Sequence, residues 1–200
     1  MTAVWKPTAA LSIDATPFAI RAEQASDVRA REALLDASFG EGRHARTCQR
    51  LRDGRKPAEG LAFSAVHDGR LVGTVRLWHV SAGGIPALVL GPLAVEASCR
   101  ALGIGAALMR HALAAAKARG HAAVILRGDP AYYARFGFSA DKTGGLELPG
   151  PFERDRLLAV ELRDGALDEA QGMIVATGAA ALEARGHRRM KRQRLTPRAA

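Results

Sequence analysis

Residues 87–95 read Ala87-Leu-Val-Leu-Gly-Pro-Leu-Ala-Val95. The run is apolar at consecutive positions, the pattern of a strand covered on both faces. Gly91-Pro92 interrupts it. Proline has no amide hydrogen to give to a ladder, so in mid-strand it predicts a bulge or a place where the neighbouring strand has peeled away. After a polar loop comes Cys99-Arg-Ala-Leu-Gly-Ile-Gly-Ala106. A helical pattern follows from about residue 103 to 119, with Ile104, Leu108, Ala112, Ala115 and Ala116 along one side. Lys117 and Arg119 suit its negative end, and Gly120 fits a left-handed cap. Ala122-Ala-Val-Ile-Leu126 is then a second strand buried on both faces. Strand, helix and strand with short connections make a right-handed crossover, so these two strands are parallel.

Outward from this unit the pattern turns antiparallel. Residues 61–66 and 71–78 are strand-like runs joined by His67-Asp68-Gly69-Arg70, whose Asp-Gly pair marks a hairpin. Phe18-Ala-Ile20 forms a short strand, and Ser26-Asp27 caps a helix with Val28, Leu34, Leu35 and Phe39 on its buried face. A second helix is expected over residues 43–51 and a loop over 52–57. Asp129-Pro130 opens a short helix that ends at Phe136-Gly137-Phe138. Residues 143–151 form a long loop and 157–162 a closing strand. Residues 164–179 fit either an edge hairpin or a partly ordered extension. The division expected is a lead-in of low order (1–16), one domain (17–164), an extension (165–184) and a basic tail (185–200).

A chain of 200 residues with 48% hydrophobic and 24% charged residues suits one globular core. At that size neither a disulfide nor a structural metal is required, so Cys48 and Cys99 make no framework. No run approaches the ~20 apolar residues that span a bilayer, and the N-terminus lacks the apolar stretch of a signal peptide. A cytoplasmic protein with no membrane role is expected. The net charge of +9 is concentrated at the end of the chain, where Arg185, Arg188, Arg189, Lys191, Arg192, Arg194 and Arg198 occur without an acid. That tail has no aromatic residue to stack on bases, so it reads as a solvated terminus rather than a nucleic-acid arm. No His, Cys or carboxylate spacing suggests a metal site.

Two glycines between a strand and the first turn of a helix suit an anion. The amides at a helix N-terminus lack partners, and glycine removes the Cβ atoms that would hold a diphosphate away. Arg100 adds a cation three residues before Gly103. The dinucleotide fingerprint is incomplete, since residue 108 is Leu and the next strand ends at Arg127 rather than at an acid. Close packing at the helix start is the competing reason for Gly103 and Gly105.

The ordered set Leu93-Ala-Val95, Arg100-x-x-Gly103-x-Gly105, a helix, a buried strand and Tyr133-x-x-Phe-Gly-Phe138 resembles the GCN5-related N-acetyltransferase superfamily, particularly its compact bacterial members. The resemblance implies a mixed α/β (α+β) fold: a mostly antiparallel central sheet with one parallel, splayed strand pair and helices on both faces. It implies acetyl-CoA as cosubstrate and an amine-bearing acceptor, with direct transfer to a primary amine in a ternary complex. Leu93, Ala94 and Val95 would pair with the pantetheine arm through their main chain, with the Leu93 amide at the acetyl oxygen. The segment Arg100, Ala101, Leu102, Gly103, Ile104, Gly105, Ala106 would hold the diphosphate. Tyr133 corresponds to the tyrosine that protonates the departing thiolate; alternatively it packs with Tyr132, Phe136 and Phe138. Asp129 stands where relatives carry a longer helix, and reads as an N-cap.

For the base, the resemblance offers His79 at a strand end. Glu41 and His44 lie where relatives bind acceptors. Neither cysteine has a sequence-local base, so no covalent intermediate is expected. Two rival readings remain: a non-catalytic acetyl-CoA sensor, and nucleic-acid association through the tail. An edge strand near the C-terminus offers a surface for pairing two copies.

Overall fold

In a computed structural model of the chain, residues 17–181 are described. The lead-in, the last residues of the extension and the basic tail lie outside them. Eight strands form: β1 (Ala19–Ala22), β2 (Ala62–His67), β3 (Arg70–Ala82), β4 (Ile85–Val95), β5 (Ala123–Arg127), β6 (Leu146–Glu147), β7 (Leu157–Glu161) and β8 (Gly172–Ala176). The helices are α1 (Val28–Phe39), α2 (Ile104–Ala118) and α3 (Pro130–Tyr133). The sheet runs β1-β2-β3-β4-β5-β7 and is antiparallel except at β4–β5.

At the β2–β3 hairpin both Asp68 and Gly69 have positive φ, 49° and 73°, the turn geometry that matches strand twist. β3 runs past Trp78 to Ala82, farther than its apolar run suggests. β2 pairs with β3 only as far as Arg76, and β8 takes over the same strand at Val80–Ala82. The ambiguous segment after residue 164 thus contributes a strand whose Ile174 is buried in the core. β8 also pairs in parallel with β6.

Side chains alternate across each strand, so neighbours such as Leu77 and Trp78 serve opposite faces. On one face α2 buries Ile104, Leu108, Met109, Ala112 and Ala116 with Phe63, Val75, Leu77 and Leu126. On the other, α1 sets Leu34 and Leu35 against Ala94, while Cys48 and Leu51 cover Trp78, Val89 and Ile125. Helices therefore cover both faces.

Two expectations are corrected. Val28 stays 46% exposed, and the inward place on its stripe falls to Arg31, 6% exposed. Arg31 is tolerated there because Glu23 and Glu32 meet its guanidinium, each at 2.6 Å. The helix expected over residues 43–51 is two 3-10 helices, Glu41–Ala45 and Thr47–Leu51.

Asp27 ties the entry of α1 to the sheet. Its carboxylate accepts bonds from Arg21 (2.6 and 2.8 Å), the Gln24 amide (2.9 Å) and the Ser64 hydroxyl (2.9 Å). The Arg21 bond is the largest influence holding its pKa well below the usual carboxylate range. Such a carboxylate contributes stability that is complete above its unfolded pKa and lost as pH falls below it. Asp27→Asn is expected to cost about 1 to 3 kcal/mol near neutrality, the scale of lost hydrogen bonds to a charged group. In denaturant titrations the gap to wild type should narrow below about pH 4. A gap that stays constant down to pH 2 would contradict this assignment.

Candidate active site

The parallel strands meet for only two residue pairs, Leu88↔Val124 and Val89↔Ile125. Beyond them Leu126 and Arg127 pair with β7, and β4 follows β3. Along β4 the register slips, with Leu77 opposite Leu90 but Val75 opposite Leu93, so β4 carries one extra residue at Gly91-Pro92. Gly91 has φ 131°, a conformation that favours glycine. Its carbonyl is met by the buried Trp78 indole, Nε1 donating at 2.6 Å. The interruption in the sequence is thus both a bulge and the point where the strands part.

At the end of α2 a cavity of about 450 Å³ is bordered by Leu93, Ala94 and Val95 on the strand side and by Arg100, Gly103, Gly105 and Ala106 on the helix side. The two glycines act differently. Gly103 has φ 73° with open space where a Cβ would stand, so its need is conformational. At Gly105 a Cβ would lie 3.2 Å from the Tyr132 hydroxyl oxygen, so its need is close approach. The first bond of α2 runs from the Ala107 amide to the Gly103 carbonyl. The amides of Ile104, Gly105 and Ala106 are therefore without intrahelical acceptors, as at any helix start. The Ile104 side chain is fully buried, Leu102 is 38% exposed, and neither they nor Ala101 line the cavity.

Sequence reading missed four neighbours, Ser38 and Phe39 at the end of α1 among them. Tyr132 and Arg135 also line this cavity, the guanidinium 4.6 Å from the Tyr132 ring centroid. Arg100 and Arg135 thus supply two cations beside the helix N-terminus. The Tyr132 amide donates to Asp129 Oδ1 at 2.9 Å, which makes Asp129 the cap of α3.

A second cavity, about 150 Å³, is reached from α1 and the two 3-10 helices. It shares Phe39, Leu93 and Tyr133 with the first. Tyr133 packs edge-on to Tyr132 at 4.9 Å and to Phe138 at 5.9 Å, and lies flush on Gly128, where any Cβ would collide with its ring. Packing and exposure to both cavities coexist in this one residue. Burial, reinforced by Tyr132, pushes the Tyr133 phenol up to about 12, so it keeps its proton at neutral pH. Cys48 lines the second cavity and burial raises its thiol pKa, which disfavours a thiolate. Cys99 is buried in the α2-side core.

The other expected residues lie elsewhere. Because β3 continues to Ala82, His79 is mid-strand, not at an end, and its ring sits 5.3 Å from His121, which follows α2. His79 lines neither cavity, and neither do Glu41 and His44. Arg43, in the first 3-10 helix, and Arg46, the extended residue that separates it from the second, are the members of that segment that reach the cavity. Among the described residues no three His, Cys, Asp or Glu come together as a metal site, and no helix is long and apolar enough to cross a membrane.

The family description "Acetyltransferase (GNAT) family" matches residues 27–138. The chain is 30% identical over 157 residues to the uncharacterized N-acetyltransferase YhbS of Escherichia coli (strain K12), covering 78% of this chain and 93% of that protein. The crystal structure of Escherichia coli YhbS in complex with CoA superposes with a TM-score of 0.71 at 30% identity, over 84% of this chain and 93% of that one. A GNAT family acetyltransferase from Brucella melitensis in complex with acetyl-CoA gives 0.53 at 26% identity, over 76% and 98%. The chain belongs to the GNAT family of N-acetyltransferases.

The sequence has only two tyrosines, Tyr132 and Tyr133. In a Tyr132→Phe variant the remaining phenolate absorbance should therefore rise well above pH 10, because the burial that is the larger cause of the shift is kept, read by stopped-flow pH jump before unfolding. A midpoint near 10, the value of an exposed phenol, would refute the burial of Tyr133.

Proposed function

We propose that the protein transfers the acetyl group of acetyl-CoA to a primary amine by direct attack within a ternary complex. The observation that carries this reading is the meeting of the two cavities at Leu93 and Tyr133. The larger suits the coenzyme, and YhbS and the Brucella melitensis relative, solved with CoA and acetyl-CoA, support that occupant. The smaller suits the acceptor.

Each residue then has a task. The open edge of β4 at Leu93, Ala94 and Val95 receives the pantetheine arm, whose amides pair as an added strand would. The amides of residues 103–106 hold the diphosphate, with Arg100 and Arg135 adding charge. The Leu93 amide faces the thioester oxygen and strengthens its bond as that oxygen gains charge. The amine nitrogen attacks the carbonyl carbon, the new C–N bond forms and the C–S bond breaks. The sulfur takes a proton from Tyr133, which recovers one from water, and the nitrogen gives its extra proton to solvent.

His79 has no part in this scheme, since it lines neither cavity, and among the described residues no carboxylate or histidine lines the smaller one. The amine enters neutral, and the guanidiniums around it favour that form by disfavouring a second positive charge. A Cys48 thiol held protonated by burial is a poor nucleophile, which supports direct transfer over an acetyl-cysteine intermediate.

Tyr133→Phe should lower kcat by roughly 10²-fold, the scale of a lost general acid, while CoA affinity measured by calorimetry changes little. Thiol release with a good amine acceptor reads the rate, and an unchanged kcat would remove Tyr133 from the chemistry. Cys48→Ser should keep most activity. Intact-mass spectra of the wild type mixed with acetyl-CoA alone should show no adduct, and a stoichiometric gain of one acetyl group on cysteine would replace direct transfer with a covalent route.

A further inference from the structure

Among the described residues, the smaller cavity is lined by four arginines, Arg43, Arg46, Arg52 and Arg127, and by no carboxylate. They differ in what already holds them. Arg43 is engaged by Asp36 and Glu32, both at 2.6 Å, and Arg127 is paired with Glu153. Arg46 lies 5.0 Å over the Phe39 ring. Arg52 donates from Nε to the Cys48 carbonyl at 3.1 Å. Among the described residues no carboxylate forms an ion pair with Arg46 or Arg52. Asp53, the nearest acid in sequence, accepts instead from Gln49 at 2.7 Å. Burial draws the Arg52 pKa down, the mark of a charge drawn out of water without a full countercharge.

The position of Arg52 matters as much as its lack of a carboxylate ion pair. Its guanidinium atoms lie 3.8 to 3.9 Å from where a Cβ on Gly91 would stand, directly over the bulge. Gly91 is two residues from Leu93, so the backbone beneath the cation and the acyl position are at most about 7 Å apart along the strand. A planar guanidinium with unused N–H groups recognises a carboxylate in two-pronged fashion.

We infer that the acceptor is a small amine carrying a carboxylate within a few bonds of its nitrogen, an α-amino acid or a close analogue, and that Arg52 binds that carboxylate. This rests on the function proposed above and adds the class of acceptor to it. The cavity's volume of about 150 Å³ agrees in size, being of the order that takes up a benzene-sized group. Polyamines and other purely cationic amines are disfavoured by Arg46 and Arg52, the two guanidiniums with no ion pair to a carboxylate among the described residues. Arg46 widens the positive field at the mouth, and Arg43 and Arg127, already paired, shape the wall.

The carboxylate could also be supplied by the donor, as in a dicarboxylic acyl-CoA, and the test separates the two sources. Calorimetric titration of the CoA-saturated protein with N-acetyl-L-alanine and with N-acetyl-L-alaninamide compares two products differing in one charge. The carboxylate form should bind at least about tenfold more tightly, and Arg52→Gln should abolish the difference, as expected for a charge-assisted bond. Affinity for the amide and for CoA should stay within about threefold of wild type, which shows that the variant is folded. Equal binding of the two products, or a preference that survives Arg52→Gln, overturns the inference. So does an Arg52-dependent preference for succinyl-CoA over acetyl-CoA, which would assign the cation to the donor. In kinetics the ratio of kcat/KM for alanine over alaninamide should fall about 10- to 100-fold in Arg52→Gln. The product titrations need no turnover, so a protein that acetylated no amine would refute the proposed function while the anion preference stood or fell separately.

Discussion

The hydrogen bond from the Trp78 indole to the Gly91 carbonyl marks the constraint on which the site depends. A sheet gains stability from continuous pairing, and a cofactor cleft within it needs pairing to stop without stranding buried polar groups. Here Pro92 withholds a donor, the extra residue shifts the register, and the orphaned carbonyl finds a side chain one strand away. β5 meanwhile pairs with β7 along its length, so Leu126 and Arg127 keep partners after β4 has turned away. The opening is a cleft between two satisfied strands, with groups left over on β4 for an extended ligand to use.

A second constraint places charge around that cleft. Arg76, Glu23, Arg31, Glu32, Arg43 and Asp36 form an alternating chain of ion pairs from β3 through α1 to the first 3-10 helix. Burial opposes the ionisation of Glu32, but hydrogen bonds from Arg31 and Arg43 outweigh it and lower its pKa. Exposed pairs of this kind contribute little singly, whereas Arg31 and Glu23 are mostly buried and fix the position of their neighbours. The network ends at the wall of the smaller cavity, and the arginines beyond it are the ones without carboxylate partners.

Much of this was legible in the sequence. The doubly apolar strands, the Asp-Gly hairpin and the crossover helix each follow from local chemistry, and so does the Gly91-Pro92 interruption, for which a bulge and a parting of strands are both open and both occur. Resemblance to the family added the order of the motifs and singled out Leu93, Gly103, Gly105 and Tyr133. What escaped had a physical cause in each case. The length of β3 depends on β8, a partner distant in sequence, so His79 looked like a strand end when it is interior. The sequence suggests one helix over residues 43–51, and the resemblance to the family points to Glu41 and His44 as acceptor contacts. The chain there instead forms two 3-10 helices broken at Arg46, whose backbone is extended, and this break brings Arg43, Arg46, Gln49 and Arg52 to the cavity together with Thr47 and Cys48. Arg135 and the Tyr132 hydroxyl reach the helix start only through the tertiary placement of α3, for which no local pattern speaks.

A crystal structure of the protein grown with acetyl-CoA tests the central claim most directly. The account predicts the pantetheine lying along Leu93, Ala94 and Val95 in the gap left by β5, the diphosphate over residues 103–106, and the thioester between the Leu93 amide and Tyr133. Coenzyme bound on another surface, or β4 and β5 closed together beyond Val89 with the coenzyme present in the crystal, would contradict it.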